Sequence, residues 1–320
     1  MVGKVDPDRL ELALDRLGAP DEDVIQGPAY GEDAAALRVG DRTLVVNADP
    51  ISLAAEQVGT LGIPVACNDV AACGADPRWL TAVVLVPEAD PGTFETVTEQ
   101  LDRAARSAGV AIVGGHSEYS VDLPRPLVAL TCLGIAEEYV PTGGARPGDA
   151  VILTKGAGIE GSAILATDFR GDLAGSVDAE TVAAAADYFS EVSVVPDARV
   201  LREYATAMHD PTEGGVIDGL LELAVASGVE VVVDREDVPV REPTRRVCSA
   251  MDVDPLAIFG SGALVATVPA DAADDALVAL EEAGIEGTVI GEVHEGDGAL
   301  NLDGETRREP IRDQLYALWE

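Results

Sequence analysis

At 320 residues, 47% of them apolar, the chain exceeds one average domain and can bury a core in each of two. Lys and Arg total 21 against 58 Asp and Glu, a formal charge of −37 that repels phosphate backbones and argues against a nucleic acid partner. No apolar run approaches the roughly 20 residues of a membrane span, and MVGKVDPDRL carries charge where a signal peptide is apolar, so no membrane partner and a cytoplasmic location are expected.

Pro7 to Gly18 reads as a short amphipathic helix carrying Leu10, Leu12, Leu14 and Leu17, and residues 1–26 as an N-terminal helical segment. TLVVNADP is a β-rich run ending in Asp49, EQVGTLGIPVACNDVAACGADP is largely helical, and LTAVVLVP is a buried strand. Pro91 to Ala108 returns to helical spacing, VAIVGG is a strand running into glycines, and PLVALTCLGIA is a long apolar strand. This alternation marks an α/β protein, with a first domain over 27–142.

EEYVPTGGARPGDA, rich in Pro, Gly and charge, reads as the interdomain connection, with the boundary near Gly143. In the second domain, 143–320, AVILTKG opens a strand–loop–helix unit, and Ala-rich helices surround Asp187 and Arg199. TEGGVIDGLLELAVASG is an amphipathic helix and VEVVVD a strand. ALVATVP, DAADDALVALEEAG and EGTVIGEV give strand, helix and strand, with a polar tail after Gly296. Cys67, Cys73, Cys132 and Cys248 form no CxxC pair and read as buried, reduced thiols. Lys4 and Lys155 are the two lysines, and the acidic coat reads as adaptation to high intracellular salt, whose ions screen self-repulsion.

Glu32 and Asp33 in a GED tripeptide, Asp49 at a strand end, Asp69 after Asn68, and Asp210 before Pro211 each fall at a predicted junction. Carboxylates at such places can converge on one cleft, where a hard divalent cation takes a few of them together with water and phosphate oxygens. Taken singly, each is as well explained as a cap or turn former. VGGHSE and DPTEGG add paired glycines whose amides can face phosphate, although a tight turn explains either motif equally. There is no Walker A loop and no dinucleotide fingerprint.

GEDAAA at Gly31, NADP at Asn47, NDVAACGADP at Asn68, GGHSE at Gly114, TKGAGIEGSAILA at Thr154 and DPTEGG at Asp210 occur in an order that resembles the aminoimidazole ribonucleotide synthetase-related (PurM-like) superfamily, nearest its HypE-like members. The resemblance, from about Gly27 to Val293, implies a ferredoxin-like N-terminal domain that dimerises into a shared barrel, an α/β C-terminal domain, and ATP held with Mg²⁺ between them. Carried over by motif, it implies that Asp33, Asp49, Asp69 and Asp210 hold metal, with Asp33, Asp69 and Asp210 also serving catalysis. Asn68, Gly114, Gly115, His116, Lys155 and Thr212 would contact the nucleotide or support the site. The chemistry implied is transfer of the ATP γ-phosphoryl group to an oxygen of a small-molecule or protein acceptor.

Three departures bear on that picture. Glu32 stands where many relatives have Asp, yet can still ligate metal; the chain ends LYALWE without the terminal cysteine of HypE; and Glu213 replaces an Arg, exchanging a phosphate-pairing cation for an anion. A thiamine-monophosphate kinase-like enzyme and a non-catalytic nucleotide-binding or assembly protein are the alternatives. A turn-held histidine explains His116, a strand-end histidine His209, a surface loop Lys155, and a helix start Glu160, as well as a site role does.

Overall fold

The computed structural model describes residues 3–5, 7–51, 57–87 and 91–320; Glu56, where the expected second helix begins, lies outside them. Helix α1 (Pro7–Leu14) is followed by β1 (Val24–Gln26), β2 (Ala35–Val39) and β3 (Arg42–Ile51). Then come α2 (Val58–Ala72), β4 (Asp76–Val86), α3 (Pro91–Ala108), β5 (Ala111–Tyr119) and β6 (Leu127–Ala136). These strands form one sheet in the order β1-β2-β3-β6-β4-β5, antiparallel except for the β4–β5 pair. In β6 every second residue is buried, because one face of the sheet lies under α2 while the other stays half open. Helix α2 is apolar nearly all round and buried accordingly, whereas α3 buries a single stripe, Val97, Leu101 and Ala105 with Gln100 beside them.

The second half runs β7 (Asp149–Thr154), α4 (Ile159–Asp168), α5 (Arg170–Leu173), α6 (Ala179–Ala186), α7 (Val195–Leu201), β8 (Ala207–His209), α8 (Gly215–Ser227) and β9 (Val229–Val233). It finishes with α9 (Glu242–Met251), β10 (Val265–Pro269), α10 (Ala273–Glu282), β11 (Gly287–Glu295), β12 (Ala299–Leu302) and β13 (Glu305–Arg307). Its sheet has the order β13-β12-β9-β11-β7-β10-β8. One face packs on α7 and α10, and through them on α2, so a single apolar core joins the two sheets (Val70, Leu80, Val194, Leu201, Leu264). The other face is closed by α8, and a separate cluster gathers α4, α6 and α9 around Leu165, Val247 and Ile258. Each fully buried Leu or Ile contributes about 1.5–3 kcal/mol relative to exposure.

Three expectations need correction. The segment after Gly296 is not a loose polar tail: β12 pairs parallel with β9, β13 closes a hairpin on it, and Gln314–Trp319 forms a 3-10 turn. VAIVGG does not end in a glycine turn, since β5 continues through Gly114 and Gly115 to Tyr119. The ladder slips there by one residue, Leu80 facing Ile112 and Thr81 facing Gly114, and a Cβ on Gly115 (φ +147°) would collide with the Ala82 carbonyl. Asp69 lies within α2 rather than at a junction. All four cysteines are buried and free.

Candidate functional site

A cavity of about 260 Å³ opens between the two halves, lined on the N-terminal side by Glu32, Asp33, Asp49 and Asp69 and on the C-terminal side by Glu160, Thr212 and Glu213. The turn before β2 supplies Glu32 and Asp33, β3 supplies Asp49, and α2 supplies Asp69. Asn47, one turn of the pleat before Asp49, points the same way and bridges the acids: its Nδ2 donates to Asp49 Oδ2 at 2.9 Å and to Asp69 Oδ2 at 2.6 Å. The sequence reading assigned Asn47 no role. Its place two residues before Asp49 in a strand, hence on the same face, is the signal that could have found it.

Asp210, directly after β8, is 1% exposed, and neither carboxylate oxygen has a hydrogen-bond partner. Burial, then the charge of Asp33, pushes its carboxyl up to about 8. Burial also holds Asp69 well above the usual carboxylate range, with Asp49, Asp33 and Asp210 adding to it. Glu32 is raised by burial and Asp33, while Tyr139 donates to its Oε2 at 3.5 Å. Among the described residues no three His, Cys, Asp or Glu side chains form a ready cage for a metal ion. The donor chemistry nonetheless suits a hard divalent cation: unpartnered oxygens and mutually repelling carboxyls, with room left for water and phosphate ligands.

Behind these acids runs a chain of alternating charge. His209 is sealed between Asp33 (Nδ1 to Oδ1, 2.8 Å) and Glu222 (Nε2 to Oε2, 3.0 Å), and Glu222 Oε1 meets the Lys4 ammonium at 3.1 Å. Burial alone would lower the His209 pKa, but the two carboxylates raise it to about 10, so the ring is an imidazolium at neutral pH. Burial works against Glu222 as an anion, yet Lys4 and His209 bring it down to about 2.

Other expected site residues are placed elsewhere. Asn68 does not line the cleft; its amide donates to Val192 O at 2.9 Å and accepts from Val194 N at 2.8 Å, pinning the halves together, and the same side chain lies beside Asp210 and steadies its carboxylate form. The Lys155 ammonium donates to Glu191 O and Ser193 O and pairs with Asp197 at 3.3 Å; it does not line the cleft, but its charge reaches Asp210 and favours that carboxylate. Gly114, Gly115 and His116 lie on the exposed edge strand, His116 facing Glu118 at 3.2 Å, and within one chain they do not meet the acids. The glycines of DPTEGG do not form an open anion nest: Gly214 N donates to Asp313 Oδ2 at 2.9 Å and Gly215 N to Thr212 O at 3.1 Å. At the start of α4, Glu160 N and Gly161 N donate to Ser261 O and Phe259 O. The sequence analysis missed Asp313 and Tyr316 altogether, because both sit in the segment read as a tail.

Two α/β halves that share one apolar core and offer carboxylates from both sides to a single cleft define a class of two-domain proteins, and solved structures share this fold. Residues 31–136 match the N-terminal domain of AIR synthase related proteins and residues 146–302 their C-terminal domain; the chain belongs to this family. It is 32% identical over 258 residues to the carbamoyl dehydratase HypE of Azotobacter vinelandii, covering 77% of this chain and 73% of that protein. The thiamine-monophosphate kinase of Archaeoglobus fulgidus is 26% identical over 295 residues, 89% of this chain and 90% of the kinase. The structure of a hydrogenase maturation protein HypE in complex with ATP superimposes with a TM-score of 0.72 at 25% identity, covering 94% of this chain and 90% of that one. Among the described residues no helix is long and apolar enough to cross a membrane.

Proposed function

We propose that the protein binds Mg²⁺-ATP in this cleft and transfers the γ-phosphoryl group to an oxygen of an acceptor. The carrying observation is Asp210, whose two buried oxygens lack partners beside Asp33 and Asp69. Glycine amides that would otherwise cradle phosphate are already bonded within the chain, which leaves cations to hold the triphosphate at the acids. Asp33, Asp49, Asp69 and Asp210, with Glu32 at the rim, are the residues that would hold Mg²⁺. The metal supplies neutralisation of γ-phosphate charge in an in-line transfer. Asn47 keeps Asp49 and Asp69 apart at fixed spacing, His209 fixes the rotamer of Asp33, and Thr212 lines the opposite wall. Likeness to an ATP-bound HypE supports the nucleotide, and the names of the relatives, a dehydratase and a kinase, leave the acceptor open.

We read the exposed edge β5, with Ile112 and Val113 uncovered, as the place where two copies form a homodimer and bring His116 toward a site. The test of the central reading is calorimetric titration of Mg²⁺-ATP in molar KCl. Binding to the wild type that is lost in Asp69→Asn is the expected result; no binding to either removes the reading. The acidic coat we read as halophilic, so the melting temperature is expected to rise with KCl.

A further inference from the structure

Glu160 is the second residue of α4, and its side chain lines the cleft from the wall opposite Asp49 and Asp69. It is 4% exposed, and its Oε2 has no partner at hydrogen-bond geometry, with the equally unpartnered Ser261 hydroxyl as a buried neighbour. A buried carboxylate oxygen left without a partner is costly to keep, so this position is built for an occupant. Glu213 stands on the same wall, and the same wall already seats one cation: Lys4 places its ammonium 3.5 Å from Glu213 and 3.1 Å from Glu222. Tyr316 donates to the other oxygen of Glu213 at 3.2 Å.

Among the described residues the lining of this cavity includes no arginine, and the one cation among them, Lys4, is committed to Glu213 and Glu222. His209 is closed off between Asp33 and Glu222. A phosphomonoester or carboxylate acceptor entering here would face acids on both walls with no basic partner to receive it. Ile164, one turn beyond Glu160, and Phe259 add an apolar surface on which an alkyl stem and the face of a cation can rest.

We propose that Glu160, with Glu213, forms the acceptor subsite, and that it selects an acceptor bearing a protonated amine or guanidinium group. This rests on the phosphoryl-transfer reading of the cleft. Burial, with Asp210, Glu213 and Asp313 adding their charge and Ser261 opposing, holds the Glu160 carboxyl up at about 8, and a cation on Oε2 would bring it down.

The test uses the full chain in molar KCl, saturated with Mg²⁺ and the non-hydrolysable AMPPNP, and also without nucleotide. Four matched alcohols are titrated and followed by saturation-transfer NMR: 4-aminobutan-1-ol, 4-guanidinobutan-1-ol, butane-1,4-diol and 4-hydroxybutyrate. The amine or the guanidine is expected to bind at least about tenfold more tightly than the diol and the hydroxy acid. Glu160→Gln is expected to abolish that preference while its affinity for Mg²⁺-AMPPNP stays within about twofold of wild type. Equal binding of the four, a preference for 4-hydroxybutyrate, no probe binding to the nucleotide-loaded protein, or an unchanged preference in Glu160→Gln overturns the proposal. The wild-type series decides the acceptor class even where the variant does not fold. Failure of the wild type to bind Mg²⁺-AMPPNP instead overturns the nucleotide reading, independently of the four probes.

Discussion

The two walls of the cleft hold their charge in opposite ways. On the N-terminal wall Asp49 and Asp69 face each other across the single amide of Asn47, and Asp210 faces them with both oxygens unpartnered. On the C-terminal side nearly every buried acid has a partner: Glu222 has His209 and Lys4, Asp313 has the amides of Gly214 and Leu315, Asp218 has the Ile311 amide, and Asp197 has Lys155. Glu160, and Asp210 where it leaves β8 to face the other wall, are the exceptions there. Paired acids are architecture, and removing one member leaves the other stranded; unpaired acids are a ligand seat, and neutralising one relieves repulsion.

The sharpest way to break this contrast is to remove a paired group and an unpaired one in the same background. His209→Ala strands Asp33, leaves Glu222 with Lys4 alone, and is expected to destabilise the fold by about 3–5 kcal/mol, read from denaturant unfolding. Asp210→Asn is expected to be neutral or stabilising in the same measurement. If both destabilise alike, the division between seat and architecture fails. Next in size is Asp69→Asn, for which Mg²⁺-ATP affinity is expected to fall about 100-fold, or about 2.7 kcal/mol, with the metal-free melting temperature unchanged or higher.

A pH series sharpens the same point. The carboxyls of Asp210 and Glu160, held near 8 by burial, sit above the ordinary range. The folded chain therefore keeps protons that the unfolded chain releases, and this contribution is fully present below about pH 4 and lost as pH rises through about 8. Calorimetric melting without metal is expected to show a decline over that window that is shallower in Asp210→Asn. Excess Mg²⁺ is expected to flatten it in the wild type and not in the variant. The smallest effect belongs to the exposed pair of Arg199 with Asp76: Arg199→Ala is expected to change stability by less than about 1 kcal/mol.

Much of the fold was legible because the strongest periodic segments are also the ones that form the core. The stretch Pro91–Ala108 is a helix over its whole read length, and α2, β4 and β6 fall where apolar runs put them. The last strands were not legible: ALNL and ETR are too short to show a period, and β12 is held by parallel pairing with β9, a contact that no local pattern announces. Of the site, the acids stood out because they occur in ordered motifs beside glycines, and Asp33, Asp49 and Asp69 line one cavity. The glycines misled for a physical reason. A turn, a helix cap and a tight strand approach all demand a residue without Cβ, and sequence does not say which; Gly115 sits within β5 against the Ala82 carbonyl with no room for a Cβ, and Gly214 is a left-handed cap already bonded to Asp313. Lys155 looked functional through scarcity, but its partners, two carbonyls and Asp197, come from a segment whose approach only the tertiary fold reveals.

Asn68 carries a kinetic consequence. One buried side chain reads both the carbonyl of Val192 and the amide of Val194, so the first sheet's helix and the second half cannot part without releasing that proton to solvent. The amide of Val194 becomes a clock for separation of the halves: its hydrogen exchange should proceed at the rate of global unfolding, however often the cleft fills and empties.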